Sequence, residues 1–277
     1  MKNIIKKIAE AILSVLASIM KSMPPRVSAF YLGQLQLFSK LDYNKRPLFL
    51  KVSNTNSLTR LNSCRKEAET VAWVEEMANK YAVIYDIGAN VGAYSLIGGA
   101  LLNKKGGKLY AFEPVSSNFS ELCENIRHNQ LMENIVPVNI ALSSVSDVDY
   151  FEINQLQSGS AMHKGLSKRE ENRQQKVSNE KFGFWIHKMK LDDFVSSSSV
   201  LFPECIKIDV DGHEMEVFIG ASATLADPRC KSIIFEIDEN DPVTKKICEF
   251  IEGKGFVLQK KNFHIGSEGI YDLVYSK

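Results

Sequence analysis

The stretch that decides the fold is Tyr81–Leu96, YAVIYDIGANVGAYSL. A short continuous apolar run ends in Asp-Ile-Gly. Such a run predicts a strand buried on both faces, the kind found in parallel sheets. Two glycines, Gly88 and Gly92, then frame a turn that opens a helix through NVGAYSLIGGALLNK.

The same strand-then-helix alternation continues along the chain. Gly106–Pro114 reads as a second strand. Ser116–Gln130 reads as a helix, with Phe119, Leu122, Cys123 and Ile126 on one face. Asn134–Leu142, Glu204–Gly212 and Lys231–Asp238 read as the third, fourth and fifth strands. HEMEVFIGASATL follows the fourth as a helix. A helix from Pro242 that stops at glycines follows the fifth. FVLQKK and IYDLVYS close the chain as a strand pair. This alternation predicts an α/β fold, a mostly parallel sheet flanked by helices. Upstream, Lys66–Tyr81 has helical spacing, and Pro47–Val52 suggests a short strand. The expected division is a helical extension over 1–70 and the main domain over 71–277.

Composition narrows the function classes. Of 277 residues, 44% are hydrophobic and 24% charged, which excludes general disorder, collagen and coiled coil. The formal net charge of +1 gives no field that would favour nucleic acid. The five cysteines form no CxxC pair, which excludes zinc-finger spacing. They read as small core residues of a cytoplasmic protein.

Residues 1–21 carry Ile4, Ile5, Ile8, Ile12, Val15, Leu16 and Ile19 at helical spacing, with Lys2, Lys6, Lys7 and Lys21 mostly off that stripe. The uncharged run Ala11–Met20 is too short to span a bilayer. Docking on protein is the plainer expectation. Peripheral contact with the inner membrane surface is the alternative. Glu10 argues against a cleaved signal.

In an open parallel sheet, ligands bind at the carboxyl ends of the strands. Those ends are Asp86–Gly88, Glu113-Pro114, Asn139–Ala141, Asp209–Gly212 and Glu236. The loop after the first strand is D-x-G-x-N-x-G, which lacks the G-x-G-x-x-G that cradles a pyrophosphate. Asp86 would repel a diphosphate and suits an amine-bearing ligand. Glu113 ends the next strand, where a carboxylate can accept both hydroxyls of a ribose. S-adenosyl-L-methionine, an adenosine with an amine and a sulfonium, satisfies this set. The expected cofactor-binding residues are Asp86, Gly88, Asn90, Gly92, Glu113 and Ala141.

Five segments in order, DIGANVGAYSL, AFEPVSSNFSELCENI, VNIALS, KLDDF and IKIDVDGHEMEVFIGA, resemble the FkbM family of S-adenosylmethionine-dependent methyltransferases. The resemblance runs from about residue 81 to about 240. It implies a class I methyltransferase (Rossmann-like) fold and O-methylation of a sugar, glycan or related small acceptor. It carries Asp86, Gly88, Asn90 and Gly92 over as cofactor-loop residues and Glu113 as the ribose ligand. The family usually shows Glu where this chain has Asp211.

Transfer of a methyl group to an alcohol needs a positioned acceptor and a base for its proton. Three strand-end groups are candidates for this catalytic work: Asp209, His213 and Glu236. Asp209, Asp211, Glu214 and Glu236 also offer oxygen ligands to a divalent cation. Asp-x-Asp-Gly makes an ordinary turn as well, so no metal site is assigned. Ser158–His163 and the charged stretch Ser167–Glu180 read as loops at the acceptor side, and Phe182–Met189 as a packed strand. A nicotinamide-dependent oxidoreductase and a non-catalytic binding module are the competing functions.

Overall fold

The computed structural model describes residues 2–103, 106–153, 182–197, 199–263 and 269–277. The chain forms two compact units, Met1–Phe38 and Ser39–Lys277.

The first unit holds two helices, α1 (Lys2–Ser22) and α2 (Pro25–Gln34). Proline at the first helical position lacks only an N–H that would have no partner there, so Pro25 opens α2. The Ser28 hydroxyl donates to the Met20 carbonyl at 2.7 Å and ties the corner. Ile12, Leu13, Val15, Leu16 and Ile19 of α1 are all exposed. No helix among the described residues is long and apolar enough to cross a membrane.

The second unit is built on a seven-stranded sheet. Its strands are β1 (Val83–Ile87), β2 (Lys108–Phe112), β3 (Ile135–Val138), β4 (Cys205–Ile208), β5 (Ser232–Asp238), β6 (Val257–Phe263) and β7 (Ile270–Ser276). Their spatial order is β6-β7-β5-β4-β1-β2-β3. β3, β2, β1, β4 and β5 run parallel. β7 enters antiparallel between β5 and β6. Helices α3 (Ala68–Lys80), α4 (Ala93–Leu102), α5 (Ser116–His128), α6 (Glu214–Gly220) and α7 (Pro242–Glu252) connect and flank these strands.

Alternation along each strand divides the apolar residues between two cores. Ile84, Leu109, Cys205, Ile234 and Val274 pack with Trp73, Val74 and Met77 of α3 and with Leu96 and Ile97 of α4. Tyr85, Phe112, Ile206, Phe235 and Tyr275 pack on the other face with Phe218 of α6 and Ile247 and Ile251 of α7. Residues 39–70, grouped with the extension in the sequence reading, contribute Leu41, Tyr43, Leu48 and Leu50 to the first core. The strand at Phe49–Lys51 is anchored by side chains of α5 and the residue after it. Asn129 accepts from Phe49 N at 2.9 Å and Asn125 from Lys51 N at 2.7 Å.

Two expected elements are interrupted. The third strand stops at Val138, and Ala141–Leu142 turns away to pair with Phe182–Met189 in a separate three-stranded sheet. The helix expected over 213–225 breaks at Ala221 into α6 and Ser222–Ala226. Phe182–Met189 is a strand, as expected, but Trp185 stands exposed and meets Tyr150 edge-on. Ser158–His163 and Ser167–Glu180 lie outside the described residues.

Candidate functional site

Along one face of the sheet, the character of the side chains changes within two residues. Ile84, Cys205, Ile234 and Val274 belong to the apolar core on that face. Two residues away on the same face, at the carboxyl end of the parallel strands, stand Asp86, Lys207, Glu236 and Asp272. Register fixes their adjacency: Asp86 pairs with Lys207 across β1 and β4, and Glu236 with Asp272 across β5 and β7.

Lys207 is the group the sequence reading overlooked. It is 4% exposed, and its ammonium lies 3.1 Å from Asp86 Oδ1 and 3.3 Å from Asp209 Oδ2. It also donates to the Gly88 carbonyl at 3.4 Å. Burial opposes its charge, but Asp86 and Asp209 outweigh that effect and hold the ammonium above its ordinary pKa. The signal in the sequence was a lysine between Ile206 and Ile208 in an otherwise apolar strand. A charge there requires a partner.

Asp86 is therefore turned inward. It is 2% exposed, with Oδ2 accepting from Ser95 Oγ at 2.5 Å and Oδ1 facing Lys207. Its charge is neutralised inside the protein, so it supports the loop from below.

The loop itself is tightly constrained. Gly88 has φ +81°, and a Cβ there would lie 1.8 Å from the Asp209 carbonyl oxygen. Gly92 has φ +92°, and a Cβ there would lie 2.4 Å from Leu122 Cδ1. Asn90 adopts φ 51°, a left-handed conformation that asparagine tolerates. Every backbone N–H from Gly88 to Gly92 is consumed internally. Gly88 and Ala89 donate to the Phe112 carbonyl, Asn90 to Glu113, Val91 to the Asn90 side chain and Gly92 to the Ala89 carbonyl.

Glu113 sits behind that loop at 4% exposure. Its Oε2 accepts from Asn90 N at 2.9 Å, and its Oε1 from Val115 N at 2.9 Å and Asn118 Nδ2 at 3.4 Å. Burial pushes its carboxyl up to about 7, against the pull of those donors. Asn139 donates to the Glu113 carbonyl at 2.8 Å and ties the end of β3 to β2. Ala141, half-buried, follows this junction in its own short strand.

A cleft opens over β4, β5 and β7. It is lined by Glu67, Thr70, Lys207, Asp209, Glu236 and Asp272, among others. Burial raises Glu236 to about 8, helped by the charges of Asp209, Glu67 and Asp272. Burial likewise raises Asp272 to about 7. Asp209 and Glu236 thus meet in one site. His213 does not line this cleft. It is the residue before α6, reached through the Asp209–Gly212 turn. Glu214 caps that turn by accepting from Val210 N at 3.3 Å and Gly212 N at 3.2 Å. Asp211 there adopts φ 52° and is exposed. Among the described residues, no group of three or more His, Cys, Asp or Glu is arranged to hold a metal ion.

The strand order, with one antiparallel strand inserted beside β5, is that of a class I methyltransferase sheet. The described site lies where that fold places its ligands, over the carboxyl ends of the strands. The profile of the Methyltransferase FkbM domain matches residues 86–258, more than half of the chain. The chain belongs to the FkbM methyltransferase family and is a methyltransferase enzyme, which displaces the oxidoreductase and binding-module alternatives. Among curated proteins, it is 29% identical over 201 residues to the hexuronic acid methyltransferase AglP of Haloferax volcanii. That match covers 72% of this chain and 74% of the relative. Among solved structures, methyltransferase FkbM from Methylobacillus flagellatus KT is similar at 14% identity and a TM-score of 0.47. It covers 71% of this chain and 43% of that one. Precorrin-6y C5,15-methyltransferase from Geobacter metallireducens GS-15 is similar at 14% identity and a TM-score of 0.43, covering 76% and 89%.

Proposed function

We propose that the protein is an S-adenosyl-L-methionine-dependent O-methyltransferase acting on a hydroxyl of a sugar, glycan or related small acceptor. The observation that carries the cofactor reading is the set of internally consumed N–H groups from Gly88 to Gly92. A pyrophosphate needs such donors free. A nucleoside without phosphates needs an acceptor for its ribose hydroxyls instead, and the Glu113 carboxylate supplies one. The residues present therefore fit S-adenosylmethionine. Glu113 would hold the ribose hydroxyls, the Gly88–Gly92 loop the amino-acid end, and the Asn139–Ala141 junction the base.

When bound, this cofactor supplies a methyl group on a good leaving group. The chain's part is to orient the acceptor, exclude water and take a proton. Glu236 suits the last task. Its carboxyl, raised to about 8, is a stronger base than an ordinary carboxylate once it has lost its own proton. Asp209, fixed by Lys207, orients the acceptor hydroxyl. His213 remains a candidate for contact at the outer rim of the turn.

A sugar as acceptor is supported by the relationship to the hexuronic acid methyltransferase. The test is calorimetric titration of the purified protein with S-adenosylhomocysteine and, separately, with NAD. Binding of the first and not the second is expected. The reverse would overturn the reading.

A second observation favours a further partner. The exposed apolar residues of α1 lie in a segment whose charged residues are Lys2, Lys6, Lys7, Glu10 and Lys21. An apolar stripe with lysines off it suits an anionic membrane surface. This reading makes the enzyme peripheral at the inner face of a cell membrane.

A further inference from the structure

Resting on the methyltransferase reading, we infer that Lys207 is a positioning residue: its ammonium fastens the cofactor loop after β1 to the acceptor-side turn after β4, so that both halves of the site are set by one group. Register brings it there. Asp86 pairs with Lys207 across β1 and β4, and Ile87 pairs with Ile208. One step further along both strands, Gly88 meets Asp209, whose backbone N–H donates to the Ile87 carbonyl at 3.0 Å. Asp86, Gly88, Lys207 and Asp209 thus mark the corners of a square, and the Lys207 ammonium reaches the other three. It lies 3.1 Å from Asp86 Oδ1, 3.3 Å from Asp209 Oδ2 and 3.4 Å from the Gly88 carbonyl oxygen. It also lies 5.4 Å from the centre of the Tyr94 ring, in the first turn of the helix that the loop opens.

These contacts act differently. Asp86 is buried and has a second partner in Ser95, so it anchors the lysine from below. Asp209 is not anchored in that way. Its side chain is 38% exposed, and Lys207 is the hydrogen-bond partner of its carboxylate among the described residues. A carboxylate on an open turn visits several rotamers unless something holds it. The ammonium holds Oδ2 and leaves Oδ1 for a ligand. The third contact falls on the cofactor loop. The backbone N–H groups of that loop are consumed within β1, β2 and their connections, so it joins the β4 side through Gly88, whose carbonyl the ammonium meets. Lys207 is also the one cation among the residues lining the cleft. Removing it releases the loop and Asp209 together.

The experiment is calorimetric titration of the full chain with S-adenosylhomocysteine, run beside urea unfolding. The natural chain is titrated first. Absence of binding there overturns the cofactor reading, and this inference with it, before any variant is compared. Lys207→Met should weaken S-adenosylhomocysteine about tenfold or more, whereas Ile251→Ala, in the core under α7, should lower stability and leave that affinity unchanged. Asp86→Asn combined with Lys207→Met removes the uncompensated buried charge along with the ammonium. This pair should be more stable than Lys207→Met alone, while its affinity stays about tenfold below that of the natural chain. Asp209→Ala should weaken binding about threefold in the natural chain and have no further effect once Lys207 is Met.

Affinity that recovers with stability in the double variant would make Lys207 a structural support only and would overturn the inference. Equal losses from Asp209→Ala in both backgrounds would do the same, because the two residues would then act separately. So would Lys207→Met binding S-adenosylhomocysteine as the natural chain does.

Discussion

Gly88 and the Asp209 carbonyl lie so close that a single added carbon would come within 1.8 Å of the oxygen. The two residues directly follow neighbouring strands, and their contact sets how the loop after β1 meets the turn after β4. Gly88→Ala must therefore move one of them, and φ +81° adds strain for any side chain. A loss of about 2–4 kcal/mol is expected, with S-adenosylhomocysteine affinity falling at least tenfold. Urea unfolding and calorimetry would check it. Unchanged affinity would show that the loop does not contact cofactor.

Lys207 and Asp86 form a pair whose side chains are only 5% and 3% exposed. Breaking such a pair leaves a bare charge in the core. Lys207→Met or Asp86→Asn alone is expected to cost about 3–5 kcal/mol. The double variant should lose less than the sum, with a coupling of about 1 kcal/mol or more. Chemical denaturation of the four proteins closes the cycle, and additivity would show that the pair is not coupled.

Glu236 is expected to limit catalysis through its ionisation. Its carboxyl is raised to about 8, so kcat/KM should climb as pH rises toward 8 and then level off. Glu236→Gln should remove that limb and lower kcat by about 10²–10⁴-fold, with cofactor affinity retained. A pH profile unchanged in the variant would assign the base elsewhere, with Asp209 and His213 next in line.

Asp272 ties stability to pH. Its carboxyl is raised from 3.8 to about 7, so the folded chain holds that proton more tightly than the unfolded chain does. The stabilisation is complete below pH 4 and is lost as pH rises through 7. Asp272→Asn mimics the protonated form. It should match the natural chain near pH 4 and melt at higher temperature than it at pH 8.5. Each pKa unit corresponds to ~1.4 kcal/mol. Scanning calorimetry across that range decides it, and a constant difference in melting temperature would contradict the assignment.

The lysines and exposed apolar residues of α1 give a vesicle test. The full chain should sediment with vesicles containing anionic lipid and not with purely zwitterionic ones, and high salt should weaken the association. Removing residues 1–22 should abolish it. Equal sedimentation with and without those residues would exclude α1 as the contact.

Much of the site was legible because strand ends are readable from the sequence. A continuous apolar run that stops at Asp86, Glu113, Asp209 or Glu236 marks both an element and its ligand-facing end. What stayed hidden depends on register between distant strands. Nothing near Asp272 in the sequence indicates that it faces Glu236, because the pairing comes from β7 entering antiparallel beside β5. Lys207 was visible as an oddity, but its partners become clear only when β1 and β4 lie side by side. Asp86 read as ligand-facing because its neutralising lysine lies far along the chain. Residues 39–70 carry no strong period, since their short elements are held by side chains of α5 and not by their own amphipathicity. The third strand was read as longer than it is because apolarity continues past Val138 while the hydrogen-bond partner changes.

The two-residue step from Ile234 to Glu236, and from Val274 to Asp272, separates the apolar core of this protein from the cleft proposed for its acceptor. One position on each strand faces the interior, and its neighbour on the same side faces the cleft. Selection can therefore retune the second set through single codon changes while the first stays untouched, a route by which one scaffold could diversify its clientele without renegotiating its architecture.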